Sequence, residues 1–354
     1  NIPVVAIGKI NGPDIADEAI GQRKADFIGM ARALIADPDL PQKASSGMVD
    51  DIRRCNYCLQ DCSEKGVPEI GRCCGVNPFA GNEYSWKVLP ATEKKKVLVI
   101  GGGPSGIQAA LIADKRGHEV ELWEQHQLGG QARLSSIAPF KEETADLLRY
   151  LKHRLDKSKV LVRSGHPTKV SEIMAKAPDV VIVATGSRPC LLDIPGIDSG
   201  LVTDARKVYE DRSVVGQKIV IVGGGDIGCE TADWLAGPER EITVVEILPQ
   251  VLHRMKKIPK ERLLSRLSEK GVTIYTETEI TGIEKNSVHL KKKDSKEFTV
   301  EADNVIFAIN AEPEDRLLHK LKGIIKQVMT VGDATSPGNL GSALRSATAA
   351  VLNI

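Results

Sequence analysis

Two stretches of the chain, VLVIGGGPSGIQAALIADKRGHEVELWE and IVIVGGGDIGCETADWLAGPEREITVVE, are copies of one pattern, and Gly223 of the second stands 122 residues after Gly101 of the first. Each copy is an apolar run, a glycine triplet, a helix-like segment and a second apolar run, ending in Glu124 or Glu246. Apolar run, tight turn, helix and second run is the pattern of a βαβ unit. Two such units in one chain demand two parallel sheets, each covered by helices on its faces. The stretch DVVIVATGSRP (179–189) reads as another buried strand running into a turn, and EADNVIFAIN (301–310) echoes it after the second unit. The end of the chain, from VMTVGDATSPG onward, reads as a strand followed by a helix.

The glycines fall as G-x-G-x-x-G: Gly101, Gly103 and Gly106, then Gly223, Gly225 and Gly228. The first makes the tight turn, the second lets backbone approach a pyrophosphate, and the third lets helix pack on strand. The helix N-terminus then turns free N–H groups and a positive dipole end toward phosphate. Glu124 and Glu246 each lie 23 residues after the first glycine of their unit. A carboxylate at the end of the second strand accepts hydrogen bonds from ribose hydroxyls and repels a 2′-phosphate. Glu246 therefore favours NADH over NADPH if the second unit binds a nicotinamide coenzyme. One such fingerprint is weak evidence, but strand, glycines, helix, strand and terminal Glu repeated in register is strong.

Charge and composition exclude several classes. Lys plus Arg number 48 against 47 Asp plus Glu, so nothing in the balance points to nucleic acid or an acidic membrane surface. The triple lysines at 94–96 and 291–293 read as solvated linker or hairpin charges. No apolar run approaches the roughly 18–20 residues of a membrane span, and no signal peptide opens the chain. Seven cysteines in 354 residues, five of them crowded together, do not resemble a secreted disulfide framework, so a reducing cytoplasm is the expectation.

Those five lie in RCNYCLQDCSEKGVPEIGRCCGVNP, residues 54–78. Cys55, Cys58 and Cys62 are spaced C-x2-C-x3-C, and Cys74 follows after eleven residues. Three readings are open: an iron–sulfur cluster, a structural zinc, or free thiols. Three thiolates on one tight loop with a fourth from a distance suit the corners of a cluster. A structural zinc usually takes two separate chelating pairs, and the only second pair is the adjacent Cys73-Cys74, whose side chains diverge. The remaining two, Cys190 and Cys229, read as small buried hydrophobes.

The chain opens without Met, inside an apolar strand pattern, which reads as the first residue of a fragment or of a longer protein's covered part. Residues 2–7 and 26–29 read as short buried strands with a helix over 13–23 between them. ARALIADPDLPQKASSG then gives a helical turn, a stop at Asp37-Pro38 and a loop. This strand–glycine–helix rhythm is that of the last two units of a parallel β/α barrel.

Residues 95–354 resemble the two-nucleotide flavoproteins related to glutathione reductase. The resemblance implies FAD on the first unit and NAD(P)H on the second, which is inserted into the first. LGGQ (Gly130, Gln131) resembles that family's turn near the flavin, ATG (Thr185, Gly186) its crossing between domains, and Gly332-Asp333 its late contact to the ribitol; Asn310 stands where Gly is common. No cysteine pair lies where the family's disulfide reductases carry theirs, so electrons must leave the flavin by another route.

The cysteine spacing, with a barrel tail before it and the nucleotide units after it, resembles the 2,4-dienoyl-CoA reductase, 2-enoate reductase and trimethylamine dehydrogenase group. The resemblance covers essentially the whole chain. It implies an α/β protein: residues 1–50 as the C-terminal part of an old yellow enzyme-type (β/α)8 (TIM) barrel, and 51–94 as iron–sulfur loop and linker. Residues 95–190 with 311–354 would form the FAD domain, and 191–310 the NAD domain. It implies FMN phosphate held by Gly8, Lys9, Ala31 and Arg32, and a 4Fe-4S cluster held by Cys55, Cys58, Cys62 and Cys74. Electrons would pass from NADH to FAD, to 4Fe-4S, to FMN, and as hydride to an activated C=C bond of an enoate or enoyl-CoA. The group's substrate-binding and proton-donating residues come from earlier barrel strands, so no catalytic acid is assigned here. Two alternatives stay open: an amine or N-methyl dehydrogenase, and an electron-transfer module serving a separate catalytic chain. Substrate, direction and whether copies form a homo-oligomer are not fixed by the sequence.

Overall fold

The computed structural model describes residues 2–62, 71–165, 167–190, 192–293 and 295–354. Asn1, residues 63–70, His166, Leu191 and Asp294 lie outside the described residues. With them lie part of the 51–94 segment and the first residues of the 1–50 and 191–310 segments. The chain divides into two compact units, one of residues 1–136, 141–187 and 313–354, the other of residues 137–140 and 188–312.

The first unit opens with β1 (Val5–Ile7), α1 (Pro13–Gly21), β2 (Phe27–Gly29), α2 (Arg32–Ala36) and α3 (Leu40–Ser45). β1 and β2 pair in parallel, Val5 opposite Phe27. The two strands are not buried as their sequence suggests: Val5, Ile7 and Phe27 are 54%, 77% and 59% exposed. A two-stranded ribbon buries little unless another layer covers it. The stretch after Asp37 is also not a plain loop, because α3 forms there with Pro41 in its first turn. Asp37 anchors it, taking Lys43 Nζ at 2.6 Å and the backbone N–H of Arg53 at 2.8 Å.

The first nucleotide-type sheet follows: β3 (Lys96–Ile100), α4 (Pro104–Lys115), β4 (Glu119–Glu124), α5 (Gly130–Ser135), α6 (Glu143–Asp156), β5 (Leu161–Ser164), α7 (Val170–Lys176) and β6 (Val180–Val183). β7 (Ser187–Pro189) begins on the last residue of this part of the first unit, and the second unit then carries β8 (Val202–Asp204), α8 (Ala205–Glu210), β9 (Lys218–Val222), α9 (Asp226–Leu235), β10 (Glu241–Val245), α10 (Lys257–Glu269) and β11 (Thr273–Tyr275). It continues with β12 (Thr278–Glu284), β13 (Ser287–Lys292), β14 (Glu297–Glu301) and β15 (Asn304–Phe307). The chain returns through β16 (Ala311–Pro313) to α11 (Arg316–Leu321), β17 (Gln327–Thr330) and α12 (Leu340–Leu352).

The two parallel sheets have matching orders, β17-β6-β3-β4-β5 and β8-β15-β9-β10-β11. In each, the strand before the glycines sits at the centre, where neighbouring connections run to opposite sides; such a switch point opens a crevice at the strand ends. The inner strands are apolar where both faces are covered: all four residues of β6 are buried, as is β3 from Val97 to Ile100. In the first unit, α4 and α12 pack together, and Gln108 Nε2 donates to Thr348 Oγ1 at 3.0 Å in their buried seam. The second unit adds an antiparallel sheet, β12-β13-β14. Among the described residues no helix is long and apolar enough to cross a membrane.

Candidate functional site

In the first unit, the chain turns from β3 to α4 at Gly101, whose φ is +109°. A Cβ there would lie 2.3 Å from Ala184 O, at the end of β6, and one at Gly106 would lie 1.8 Å from Gly101 O. Both glycines are therefore required by the fold. Gly103 is different: a Cβ on it would meet nothing closer than Gly130 Cα at 3.9 Å. Around this turn the structure gathers the other residues read from the sequence. Gln131 Nε2 donates to Ser187 Oγ at 3.2 Å, and Ser187 Oγ donates to Asp333 Oδ2 at 3.4 Å. Gly186, at φ +77°, would set a Cβ 3.6 Å from Gln131 Nε2. Thr185 Oγ1 donates to Glu314 O, and the Gly332 N–H donates to Ser346 Oγ at 3.1 Å.

Glu124 is turned toward the glycines. Its Oε2 accepts the Gly102 N–H at 2.6 Å and its Oε1 the His126 N–H at 2.8 Å. The second unit repeats this: Glu246 Oε2 accepts from Gly224 N at 2.7 Å and Oε1 from Leu248 N at 2.8 Å. Each carboxylate thus ties its glycine turn to the end of the next strand, with lone pairs left for a further donor. This makes Gly102 and Gly224, the unassigned middle glycines, structural members of the site. A Cβ at Gly102 would lie 2.5 Å from Leu128 Cδ2 and one at Gly224 2.4 Å from Val251 Cγ1. The GGG triplet was the signal for them. Ser187 and Ser346 carry no such signal: the partners of Ser187 are 56 and 146 residues away, and nothing in the local pattern marks Ser346.

In the second unit, Gly223 also has φ +109°, and its Cβ would lie 2.6 Å from Ala308 O. A Cβ on Gly228 would lie 1.8 Å from Gly223 O, whereas one on Gly225 would meet nothing within 4 Å. The open space over Gly225 leaves the start of α9 approachable, the kind of place where backbone N–H groups can meet an anion. Cys229 is buried behind this turn, its Sγ 3.4 Å from Gly224 O, and burial pushes its thiol up to about 12.

The four cysteines singled out by spacing come together. Cys55, Cys58, Cys62 and Cys74 line one cavity with Arg32, Ile35, Asn56, Tyr57, Leu59 and Gly75. The loop curls around Cys58 because Tyr57 and Leu59 on either side of it are both left-handed, at φ +54°. Gly75 leaves room for the Cys58 thiol, since a Cβ there would lie 2.9 Å from Sγ. Burial pushes the Cys55 and Cys74 thiols up and that of Cys58 up to about 12, as expected for thiols removed from water. Cys73 stays off the cavity, its Sγ accepting from Arg345 Nη1 at 3.5 Å.

The donor set is four soft thiols around a cavity. Among the described residues no three Cys, His, Asp or Glu side chains converge on a single ion. Four soft donors of this kind suit a metal–sulfur group in their chemistry.

Next to this cavity stand the cations of the barrel tail. Gly8 and Lys9 follow β1, and Ala31 and Arg32 follow β2, so all four lie at the C-terminal ends of parallel strands. The Lys9 ammonium and the Arg32 guanidinium are each 5.4 Å from the centre of the Tyr57 ring. Lys9 also pairs with Glu143 at 3.0 Å.

Residues 95–331 match the family model of pyridine nucleotide-disulphide oxidoreductases. The chain belongs to this family. Residues 1–51 match the NADH:flavin oxidoreductase / NADH oxidase family, and this order is that of the 2-enoate reductase-like flavoproteins anticipated from the motifs. The chain is 37% identical to an NADH oxidase of Thermoanaerobacter brockii, over 98% of this chain and 54% of that protein. It is 34% identical to a bilirubin reductase of Mediterraneibacter gnavus, over 94% of this chain and 52% of the other. A solved 2-naphthoyl-CoA reductase in complex with 2-naphthoyl-CoA superposes on the whole chain with TM-score 0.95 and 31% identity, using 54% of that structure. The chain thus spans about half the length of the curated relatives it matches.

All seven cysteines are free. Cys190 is not the buried hydrophobe its sequence context suggests: it is half-buried, with Sγ 3.7 Å from Glu312 Oε1, because it sits on the short connection just after β7.

Proposed function

We propose that the chain is the electron-input portion of an NADH-dependent flavoprotein reductase acting on activated C=C bonds of enoate or enoyl-CoA type. The observation that carries this reading is the ring of Cys55, Cys58, Cys62 and Cys74 around one cavity, in a chain with two nucleotide-type turns. Gly101, Gly103, Gly106, Glu124, Gly130, Gln131, Thr185, Gly186, Gly332 and Asp333 would hold FAD. Gly223, Gly225, Gly228 and Glu246 would hold NADH. The four cysteines would hold a 4Fe-4S cluster, and Gly8, Lys9, Ala31 and Arg32 the phosphate of FMN. When bound, these groups would supply hydride acceptance, one-electron relay and hydride delivery.

The residues of the chain have narrower tasks. The two glycine turns and their carboxylates fix where a pyrophosphate and a ribose can sit. The cysteine loop holds Cys55 and Cys74 buried and Cys58 and Cys62 half-buried, and a bound metal–sulfur group would keep all four as thiolates. Lys9 and Arg32 supply positive charge at the strand ends. The names of the relatives, a bilirubin reductase and a reductase solved with an aromatic acyl-CoA, support a reduction of conjugated substrates.

Anaerobically purified full-length protein should contain about four irons with matching sulfide, one FAD and one FMN, and both flavins should bleach on NADH addition. One zinc and no iron would overturn the cluster assignment. Flavins that stay oxidised under NADH would overturn the direction of electron flow.

A further inference from the structure

The start of α12 lies against the cysteine loop through a single carboxylate. Asn339, the N-cap of α12, donates from Nδ2 to Asp61 Oδ1 at 3.3 Å. Arg345 donates from Nη1 to Asp61 Oδ2 at 2.7 Å. Asp61 is 3% exposed and Arg345 8%. The same Nη1 lies 3.4 Å from Cys74 O and 3.5 Å from Cys73 Sγ. Asp61 also accepts the Cys73 N–H on its backbone carbonyl at 3.2 Å. The pair therefore joins the stretch between Cys58 and Cys62, the Cys73-Cys74 stretch, and α12.

Two glycines allow this approach. A Cβ on Gly341 would lie 2.1 Å from Asp61 Oδ2 and 2.9 Å from Gly75 Cα. A Cβ on Gly75 would lie 2.9 Å from Cys58 Sγ and 3.9 Å from Asp61 Oδ2. Only backbone stands between the carboxylate and a thiol that lines the cavity. The next residue of α12 after Arg345 is Ser346, which receives the Gly332 N–H beside Asp333. Neighbouring residues of one helix thus serve the flavin-type site and the cysteine site.

A buried ion pair is weak evidence for stability, because desolvating both charges offsets much of their attraction. Apolar side chains could fill the same space. They could not place two opposite charges at fixed positions beside the cysteine ligands, where net charge and hydrogen bonding set the potential of a metal–sulfur group. We infer that Arg345 and Asp61 are positioning residues of the cysteine site: they fasten its two ligand segments to α12, and their charges set how readily the site accepts an electron. This inference rests on the iron–sulfur reading.

Iron and sulfide in the unmodified holoenzyme test that reading alone; an iron-free holoenzyme sinks it and this inference together. In iron-loaded protein, redox titration followed by electron paramagnetic resonance tests the inference. Arg345→Gln removes the cation, keeps the carboxylate, and should lower the reduction potential. Asp61→Asn keeps the cation and should raise it. Arg345→Lys should stay near the unmodified value. Opposite shifts support the inference; unmoved potentials, or shifts of one sign in both variants, overturn it. If Arg345→Gln purifies without iron, the iron content of Arg345→Lys decides. Retention there supports the charged fastening, and equal loss in both overturns it in favour of side-chain shape.

Discussion

The fingerprint spacing gives its glycines different jobs, and the space around each one differs accordingly. At Gly228 an added Cβ would run into the backbone oxygen of Gly223 at 1.8 Å, which no rotamer change can relieve. At Gly225 it would meet nothing within 4 Å, and the residue has an ordinary extended conformation with φ −73°. Gly228→Ala should therefore destabilise the second unit by several kcal/mol, in the range of other backbone-strain and overpacking lesions. Gly225→Ala should leave the melting temperature within about 2 °C, an effect below roughly 0.5 kcal/mol, while raising KM for NADH at least tenfold. Thermal melts and steady-state kinetics on the two variants check this. A Gly225→Ala protein that unfolds like Gly228→Ala would show that the open space over Gly225 is not a ligand's.

Among the elements, legibility followed the range of the interactions. The βαβ units could be read because glycine turn, packed helix and terminal carboxylate fall within about 25 residues, and the strands of a doubly covered sheet are continuous apolar runs. The cysteine set could be read because three of its members share a short loop. The antiparallel β12-β13-β14 sheet went unread; its strands mix Thr, Glu, Lys and His with apolar residues, and only β14 alternates cleanly between exposed and half-buried. The sequence marks β1 and β2 as buried strands; both form, and Val5, Ile7 and Phe27 stand exposed in this chain, since an apolar run does not say what covers it. Asp61–Arg345 joins residues 284 apart, and no local pattern marks either one. A similar long-range tie fastens α9 to α10. Asp233, 1% exposed, takes Arg266 Nη2 at 2.8 Å and Lys270 Nζ at 2.7 Å. Asp233→Ala should leave two neighbouring cations at the end of α10 without their shared carboxylate and cost roughly 2 kcal/mol. Denaturant unfolding followed by the Tyr209–Trp234 stack, whose rings lie 4.8 Å apart in the same unit, measures it. A change under roughly 0.5 kcal/mol would mean that both cations find water instead.

At the scale of the whole molecule, the two units are near-copies in sheet order, glycine turn and carboxylate, so geometry alone does not say which nucleotide goes where. The proposed assignment of the second unit to the nicotinamide coenzyme rests on its insertion within the first, and Glu246 bears only on NADH against NADPH. Binding stabilises the region that contacts the ligand, by about 2.7 kcal/mol at a ligand concentration 100 times Kd, and hydrogen exchange reports such gains locally. Oxidised NAD+ added to the oxidised holoenzyme has no electrons to pass, so protection then reflects binding. It should appear at Gly223–Gly228 and around Glu246–Leu248, with little change at Gly101–Gly106, the turn proposed to hold FAD. In Glu246→Ala the turn loses both of its carboxylate bonds, to Gly224 N and Leu248 N, so protection should shrink while flavin content stays at one FAD per chain. Loss of FAD from Glu246→Ala, or protection centred on Gly101–Gly106, would mean that the two nucleotide sites are exchanged. The path from coenzyme to cysteine loop would then have to begin in the unit that already carries α12.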